Sequence, residues 1–302
     1  MVRVLATDGI ESSAAKALSD LGFEVVQQFY NEDELPARAA EADVVVVRSA
    51  TKIRKPVIDA AAQAGRLKLV IRGGVGIDNI DAEYAKEKGI EVTNTPLASS
   101  ASVAELVLAH MFSLARFIYD ANVSMRAGKW EKKRYEGIEL AGKTLGLIGM
   151  GRIGRSLANK AQALGMKTMY TDITGHLPVN DPHAFVSQDE LLAKADFISL
   201  HVPKTDKPII NADAIGKMKN GVFLINTARA SLIDTQAVIS ALDSGKIAAA
   251  ALDVFDEEPI KDAKIYSHPK ISMTPHIGAS TLEAQVRIGE DIVQIISNKF
   301  KK

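Results

Sequence analysis

Short apolar runs alternate with segments of helical periodicity along the N-terminal third of the chain. The apolar runs cover residues 4–6, 44–47 and 69–71, and the helical segments cover residues 12–21, 56–64 and 82–88. Continuous apolar strands that alternate with helices are typical of parallel sheets covered on both faces. The pattern therefore predicts an α/β fold for this part of the chain.

A second series of the same kind begins near residue 143. Its predicted strands cover residues 144–148, 167–171, 197–200, 222–225 and 248–252. Between the two series, residues 99–127 keep a helical pattern without Gly or Pro, which predicts one helix of roughly 40 Å that bridges two lobes. A last helix over residues 281–298 is expected to return to the first lobe.

Composition narrows the classes of protein to which the chain can belong. It has 302 residues, 47% hydrophobic and 25% charged, so two globular domains are expected. The absence of cysteine excludes disulfides, thiolate nucleophiles and Cys-ligated metals, and no metal site is predicted. Lys plus Arg equal Asp plus Glu at 37 each, which argues against a nucleic-acid partner. No signal peptide or membrane span is visible, so we expect a cytoplasmic protein without a membrane partner.

A glycine-rich turn follows the first strand of the second series. Gly149, Gly151 and Gly154 have the G-x-G-x-x-G spacing between a predicted strand and a predicted helix. The first glycine permits the tight turn, the second lets a pyrophosphate approach the backbone, and the third lets helix and strand pack closely. Asp172 ends the next strand, where a carboxylate binds ribose hydroxyls and repels a 2′-phosphate. The pattern predicts a Rossmann-type sheet that binds NAD rather than NADP.

Three segments of the C-terminal half place reactive side chains after predicted strands. Arg229 follows one strand, Glu258 follows another, and His276 lies in a loop before the last helix. In doubly wound sheets, ligands bind beyond the carboxyl ends of the strands, so we expect the three side chains to converge.

These three residue types suit hydride transfer from a 2-hydroxy acid. A histidine titrates near neutral pH and can take the hydroxyl proton, while an arginine grips a carboxylate with two hydrogen bonds. A carboxylate behind the histidine orients its ring. We therefore predict that His276 is the acid/base, Glu258 its partner and Arg229 the substrate clamp. The remaining histidines are interpreted as structural: His110, His176, His183, His201 and His268.

Several motifs resemble those of one known family. They lie at residues 71–81, 149–154, 226–229, 253–259 and 275–281. Together they resemble the D-isomer-specific 2-hydroxyacid dehydrogenases over nearly the whole chain. Within that family, residues 47–52, 128–133 and 276–281 are most similar to the D-3-phosphoglycerate dehydrogenase subgroup.

The resemblance implies an architecture in two parts. A flavodoxin-like α/β substrate-binding domain comprises residues 1–97 and 280–302, and a Rossmann-type NAD-binding domain, residues 98–279, is inserted into it. A homodimer formed through the NAD-binding domain is also implied. Because the chain ends soon after its last helix, we expect neither a C-terminal regulatory domain nor feedback inhibition by serine through one.

The resemblance also assigns roles to individual positions. Arg229, Glu258 and His276 fall on the catalytic positions of the family. The NAD-contacting positions correspond to Val75, Gly149, Gly151, Arg152, Ile153, Gly154, Asp172, Val202, Thr227, Ala228, Arg229, Asp253, His276, Gly278 and Ala279. The expected carboxylate-binding amides are those of Gly73, Gly74 and Val75.

A phosphorylated substrate needs further cations. Arg48 and Arg72 are the candidates, and ordinary salt bridges at strand ends are nearly as well supported for both. Lys132, in a run of three basic residues, is predicted to reach the substrate phosphate of a partner subunit, the alternative being a solvated face. Ala230 stands where the family has Gly after the catalytic Arg, so a strained turn is expected there.

The leading functional hypothesis is oxidation of 3-phospho-D-glycerate to 3-phosphohydroxypyruvate with NAD, the first step of serine biosynthesis. Another D-2-hydroxy acid, such as glycerate, lactate or a branched-chain acid, is the alternative within the same class. An NAD-sensing scaffold of the corepressor type is a hypothesis from a different class, which measurable turnover would exclude.

Overall fold

The computed structural model describes residues 1–176 and 182–301 of the chain. Their contacts form two compact units, Met1–Ser99 with Ala279–Lys302 and Ser100–Gly278. Each unit contains a parallel sheet covered by helices, which confirms the α/β fold predicted from the sequence.

The first unit is built on a five-stranded sheet. Its strands are β1 Arg3–Ala6, β2 Glu24–Gln27, β3 Val44–Val47, β4 Leu69–Arg72 and β5 Glu91–Asn94. Its helices are α1 Ser12–Asp20, α2 Leu35–Ala40, α3 Lys55–Ala64 and α4 Ala82–Glu87, together with a C-terminal helix. The order β2-β1-β3-β4-β5, with all neighbours parallel, is that of flavodoxin-like folds.

The burial of each strand explains why the hydrophobic pattern predicted some strands of this sheet and not others. In β3, Val45 packs into one apolar cluster and Val46 into another, so this central strand is apolar on both faces. The strands β2 and β5 lie at the two edges of the sheet and are mostly half-buried or exposed. Because neither edge strand needs a continuous apolar run, neither was predicted.

The second unit is built on a seven-stranded sheet. Its strands are β6 Thr144–Ile148, β7 Lys167–Thr171, β8 Ala184–Phe185, β9 Phe197–Leu200, β10 Val222–Asn226, β11 Ile247–Leu252 and β12 Ile271–Met273. Its helices are α5 Ser100–Arg116, α6 Ile118–Arg126, α7 Arg152–Ala163, α8 Gln188–Lys194, α9 Ala212–Lys217, α10 Thr235–Asp243 and α11 Ala263–Tyr266. The C-terminal helix of the first unit is α12 Leu282–Phe300.

The strand order of the second sheet confirms the Rossmann-type prediction. The order is β12-β11-β10-β9-β6-β7-β8, and all neighbouring strands are parallel. Counted from β6, this is the doubly wound order of dinucleotide-binding folds with one more strand at the edge. Leu224 and Ile225, neighbours in β10, pack into different apolar clusters, so helices cover both faces.

The single helix predicted for residues 99–127 is wrong, because the chain bends by 64° between α5 and α6. Phe117, between the two helices, has a left-handed φ of 54°. The Ala115 carbonyl accepts a 2.9 Å hydrogen bond from the Ile138 N–H. Gly137 permits this crossing, because a Cβ there would lie 2.2 Å from the Ala115 oxygen. A distant segment therefore ends the helix, and both helices belong to the second unit.

The length and apolar content of α5 and α6 raise the question of a membrane span. Taken together, the two helices have the length and apolar character of a membrane span, but none of the individual helices that the structure describes has both. In α5, Val107, Met111 and Ala115 pack into an apolar cluster of the second unit.

Candidate active site

The glycine-rich turn joins β6 to α7, and its three glycines meet different surroundings. Gly149 has a φ of 97°, and a Cβ there would lie 2.6 Å from the His201 carbonyl oxygen and 2.7 Å from Val202. A Cβ on Gly154 would lie 2.4 Å from the Gly149 oxygen. By contrast, a Cβ on Gly151 would meet nothing within 4 Å. Gly149 and Gly154 are therefore required by packing, whereas Gly151 leaves room beside the backbone.

The N-terminus of α7 is suited to an anion. Gly151 is its N-cap residue, and no side chain caps the helix there. The first N–H groups and the positive end of the helix dipole are thus presented beside the space that Gly151 leaves. Arg152, which is exposed, and Ile153, which is half-buried, form the first turn of the helix. This cradle fits the pyrophosphate of a dinucleotide.

Asp172 follows β7 and is tied to the glycine-rich turn. One carboxylate oxygen accepts a 2.8 Å hydrogen bond from the Met150 N–H, and the other accepts hydrogen bonds from the N–H and hydroxyl of Thr174 at 2.9 and 2.8 Å. Burial opposes ionisation, but these hydrogen bonds outweigh it and lower the pKa of Asp172. The carboxylate is therefore charged at neutral pH, as the predicted ribose contact requires.

Polar side chains also follow the neighbouring strands β9 and β10. His201 shares a 2.9 Å hydrogen bond with the Ser199 hydroxyl, and burial lowers its pKa to about 4, so the ring is neutral. Thr227 is buried, and its hydroxyl has no hydrogen-bond partner among the described residues. Buried hydroxyls are normally hydrogen-bonded, so this group suits a bound ligand. Together with the open glycine turn, it fits a nucleotide cofactor.

His276 and Glu258 form the central pair of the site. The Nδ1 atom of His276 lies 2.8 Å from one Glu258 oxygen, and the other oxygen accepts a 3.2 Å hydrogen bond from the Phe255 N–H. Burial alone would raise the pKa of Glu258, but the bond and charge of His276, the Phe255 N–H and the charge of Arg229 outweigh it and lower that pKa. An ionised Glu258 fixes the proton of His276 on Nδ1 and leaves Nε2 for proton transfer.

A buried carboxylate holds the loop that carries His276. His276 has a left-handed φ of 52°, which is unfavourable for a residue with a side chain. Asp253, only 1% exposed, accepts hydrogen bonds from the Thr274 hydroxyl at 2.6 Å and from the N–H groups of Ile277 and Gly278 at 2.9 Å each. These bonds on both sides of His276 stabilise its backbone conformation. The sequence predicted Asp253 as an NAD contact, and that role stays a prediction.

Arg229 is positioned by a buried amide at the end of β10. The side chain of Asn226 donates to the Arg229 carbonyl at 2.8 Å and accepts from the Ala228 N–H at 3.1 Å. The Arg229 guanidinium donates to the Ala228 carbonyl at 2.6 Å and acts electrostatically on Glu258. The strained turn expected at Ala230 is wrong, because this residue starts a 3-10 turn and lacks a positive φ.

Sequence reasoning missed the residues that hold the reactive groups. Asn226, Thr274 and Ser102 bind backbone or carboxylate groups of the loops that carry Arg229 and His276, with Ser102 donating to the Gly278 carbonyl at 2.7 Å. Asn226 at the end of a buried strand was a usable signal, because a buried amide needs partners. Ser102 gave no such signal, since it lies far from the loop in the sequence.

In the first unit, Arg48 lies in a loop that is clamped from two sides. Asp8 accepts hydrogen bonds from the Arg48 N–H at 2.6 Å and from the N–H and hydroxyl of Thr51 at 3.1 and 2.6 Å. The side chain of Asn79 donates to the carbonyls of Arg48 and Thr51 at 2.8 and 2.7 Å. The backbone at Arg48 is therefore fixed, and the residue is half-buried.

The predicted carboxylate-binding amides of the first unit differ in their availability. The Gly73 N–H donates to the Val47 carbonyl and the Gly74 N–H to the Arg72 carbonyl, both at 2.9 Å. Among the described residues, the Val75 N–H donates to no backbone carbonyl. The Arg72 guanidinium lies against Gly74, where a Cβ would come within 1.5 Å of it. Of the three amides, that of Val75 is the one left for a ligand.

The two remaining predicted contact residues are Lys132 and Ala279. Lys132 is exposed in the 3-10 turn Lys132–Arg134 of the second unit. Ala279 belongs to the first unit, and its carbonyl accepts a 2.8 Å hydrogen bond from the Gln285 side chain. The described residues include no group of three or more His, Asp or Glu side chains arranged to hold a metal ion.

Comparisons with known proteins point to one family. Residues 108–278 match the family model of the D-isomer specific 2-hydroxyacid dehydrogenase, NAD binding domain. A hydroxypyruvate reductase from Thermotoga maritima is 47% identical over 301 residues, covering 97% of each chain. A D-3-phosphoglycerate dehydrogenase from Methanocaldococcus jannaschii is 45% identical over the whole of this chain, which spans 57% of that protein.

The same relationship is visible in solved structures. The TT0316 protein from Thermus thermophilus superposes with a TM-score of 0.88 at 36% identity, over 97% of this chain and 94% of that one. The matched family model covers most of the second unit, including the glycine turn and the residues around His276. The chain therefore belongs to the D-isomer-specific 2-hydroxyacid dehydrogenase family, as the motifs predicted, and is an enzyme whose cofactor is NAD.

Proposed function

We propose that this enzyme interconverts 3-phospho-D-glycerate and 3-phosphohydroxypyruvate. The observation that carries the proposal is the environment of Arg48. Arg3, Arg54 and Arg66 of the same unit each pair with a carboxylate, at 3.4, 2.7 and 2.9 Å. Among the described residues, no carboxylate lies within ion-pair distance of Arg48. An arginine with a fixed backbone and no acidic partner suits a phosphate.

The hydroxyl proton is assigned to His276. Because Glu258 holds the Nδ1 proton, the lone pair of Nε2 accepts the proton of the substrate 2-hydroxyl during oxidation. The positive charge that develops on the ring is stabilised by the Glu258 carboxylate 2.8 Å away. In the reverse direction, Nε2 returns the proton to the carbonyl oxygen. The cofactor, when bound, would accept the hydride of C2 as oxidised NAD and would donate it to C2 as NADH in the reverse direction.

The substrate carboxylate is assigned to Arg229. The Arg229 guanidinium offers paired N–H donors, and the Asn226 amide keeps its backbone in place. In the first unit, the Val75 N–H is the backbone donor that remains for an anion. We propose accordingly that the first unit binds substrate and the second unit binds NAD.

Reduction of hydroxypyruvate is the second candidate. The hydroxypyruvate reductase from T. maritima is 47% identical to this chain, and the phosphoglycerate dehydrogenase from M. jannaschii is 45% identical to it. The two keto acids differ only by a phosphate. The contribution of Arg48 to binding therefore distinguishes the two functions.

The deciding experiment follows NADH oxidation with 3-phosphohydroxypyruvate, hydroxypyruvate, pyruvate, glyoxylate and 2-ketoisocaproate. We expect the phosphorylated acid to have the highest kcat/KM. Arg48→Gln should lower that value about 10- to 100-fold, the equivalent of hydrogen bonds to a charged group, and leave hydroxypyruvate within about twofold. Arg54→Gln, which removes an arginine already paired with Asp81, is the matched control. Equal rates with both keto acids and no effect of Arg48→Gln would favour the hydroxypyruvate reductase.

The catalytic roles are tested separately. We expect His276→Ala to lower kcat by at least about 100-fold, the range for loss of a general acid/base. Arg229→Ala should reduce kcat/KM by a similar factor, because the carboxylate loses its charged donor. A wild-type protein that binds NADH but turns over none of the five acids would instead support the scaffold hypothesis.

A further inference from the structure

A buried histidine of α5 is connected to the loop that carries His276. His110 is only 4% exposed. Its Nδ1 atom lies 3.2 Å from the Ser272 hydroxyl in β12, and its Nε2 atom lies 3.1 Å from the Thr274 hydroxyl just after that strand. Thr274 in turn contacts Asp253 at 2.6 Å. A chain of hydrogen bonds therefore leads from a helix in the core to the carboxylate that holds the loop.

The donors and acceptors along this chain have one consistent direction. The Thr274 hydroxyl donates its single proton to an Asp253 oxygen, which also accepts from the Ile277 N–H. The Thr274 oxygen must then accept from His110, which places the ring proton on Nε2. The Nδ1 atom is left as the acceptor of the Ser272 hydroxyl. Each member of the chain orients the next.

We propose that His110 is a positioning residue for the reaction, acting through Thr274 and Asp253 on the backbone of the His276 loop. The inference rests on the proposed role of His276 as the acid/base. With the Thr274 hydroxyl fixed, one Asp253 oxygen is held between this hydroxyl and the Ile277 N–H. The left-handed backbone of His276 is then retained without the substrate.

A role in packing alone would predict a different pattern of contacts. Met111, the neighbour of His110 in α5, is fully buried and packs into an apolar cluster. His110 instead uses both ring nitrogens on hydroxyl groups, which an apolar side chain of the same size leaves without partners. The two roles are separated by substitutions that keep or remove one ring nitrogen at a time.

The first experiment measures kcat and KM for three substitutions of His110. Gln carries an N–H group at about the reach of Nε2, whereas Asn reaches only as far as Nδ1 and Leu has neither group. We expect His110→Leu and His110→Asn to lower kcat about tenfold, the cost of leaving a buried hydroxyl without its donor. His110→Gln should stay within about threefold of wild type. Met111→Leu is the control for a change of packing in the same helix.

A double-mutant cycle tests whether the path from His110 to Asp253 runs through Thr274. Thr274→Val removes the hydroxyl that joins His110 to Asp253 and keeps the side-chain shape. If the path runs through Thr274, the double variant His110→Leu with Thr274→Val loses no more kcat than the worse single variant. Multiplicative losses, or equal losses in the Gln and Leu variants, would overturn the proposal. Should His110→Leu fail to fold, the Asn, Gln and Thr274 variants still decide it.

A second readout does not depend on turnover. The N–H groups of Ile277 and Gly278 donate to Asp253, so their hydrogen exchange in the cofactor-free protein reports on the loop. We expect several-fold faster exchange at these two amides in His110→Leu and wild-type exchange in His110→Gln. Unchanged exchange in His110→Leu contradicts the proposal. Retention of turnover by His276→Ala would contradict the proposed function instead, so the two failures are distinguishable.

Discussion

The two sheets are wound in the same way, but the turns at their switch points are filled differently. In the first unit, the turn after β1 contains Asp8, which binds the loop after β3, and Glu11, which caps α1 by accepting from the N–H groups of Ser13 and Ala14. In the second unit, the turn after β6 contains glycines, and no side chain caps α7. The same position in the fold is closed by carboxylates in one sheet and open in the other.

This difference shows which sheet is suited to a dinucleotide. A helix N-terminus attracts phosphate only while its N–H groups are available and no carboxylate stands before them. α1 meets neither condition, whereas α7 meets both. Topology places a crevice in each sheet, and the residues of the turn decide its use.

The test with the largest expected effect places a carboxylate in the turn after β6, where the turn after β1 already has Asp8 and Glu11. Gly151→Asp places an N-cap carboxylate before α7, and a Cβ at this position meets nothing within 4 Å. We expect NADH affinity to fall at least about 100-fold, because a charge occupies the place of the pyrophosphate, while a favourable N-cap preserves the fold. Fluorescence titration with NADH and thermal unfolding measure the two quantities.

Gly151→Asn is the matched control for that change. It has nearly the same shape without the charge, so it should weaken NADH binding clearly less than Gly151→Asp. Equal losses in the two variants would mean that the added volume, rather than the charge, is responsible.

A second test alters the packing of the open turn. A Cβ on Gly154 would lie 2.4 Å from the Gly149 oxygen, so Gly154→Ala must displace backbone. We expect a loss of about 1–3 kcal/mol in the free energy of unfolding, measured by urea denaturation. Gly216→Ala is a suitable control, because nothing lies within 4 Å of a Cβ in its helix α9. Equal stabilities of the two variants would contradict the packing role of Gly154.

A third test concerns the charge beside the open turn. Asp172→Asn keeps an acceptor for the Met150 N–H but removes the charge that repels a 2′-phosphate. We expect the preference for NADH over NADPH, taken as the ratio of kcat/KM values, to fall about tenfold. An unchanged ratio would remove Asp172 from the ribose site.

The smallest effect is expected from a change of Glu11, in the turn after β1. Hydrogen bonds from the Ser13 and Ser12 hydroxyls lower the pKa of Glu11 from 4.5 to about 2. A carboxyl group whose pKa is lower in the folded state stabilises the protein above pH 4.5 and loses that contribution as the pH falls towards 2. Glu11→Gln should therefore unfold at a slightly lower temperature than wild type at pH 7 and at the same temperature near pH 2. NADH affinity should not change.

Much of this architecture was predictable because its signals are local. The apolar runs identified β3, β6 and β9, and the glycine spacing identified the turn between β6 and α7. Arg229, Glu258 and His276 were predicted to converge because each follows a strand. The structure brings Glu258 and His276 into hydrogen-bond contact and places the charge of Arg229 near Glu258.

The remainder depends on contacts between residues distant in sequence. The break at Phe117 requires a segment some way downstream, and the edge strands are stabilised by their neighbours rather than by an apolar run. The bond between His110 and Thr274 joins a helix to a loop at the other end of the same unit's sequence. No periodicity in a single sequence reports such pairs.

The hydrogen bond between the Ala115 carbonyl and the Ile138 N–H limits which residues can replace Gly137. A side chain there would collide with the Ala115 carbonyl, and we expect it to displace the crossing segment and to free that carbonyl for the Tyr119 N–H, its partner in an unbroken helix. The course of α5 and α6 is thus controlled by the smallest residue of a loop outside both helices. One continuous helix would point the side chains of Tyr119 and Val123 in different directions. Both are exposed apolar side chains on this part of the surface.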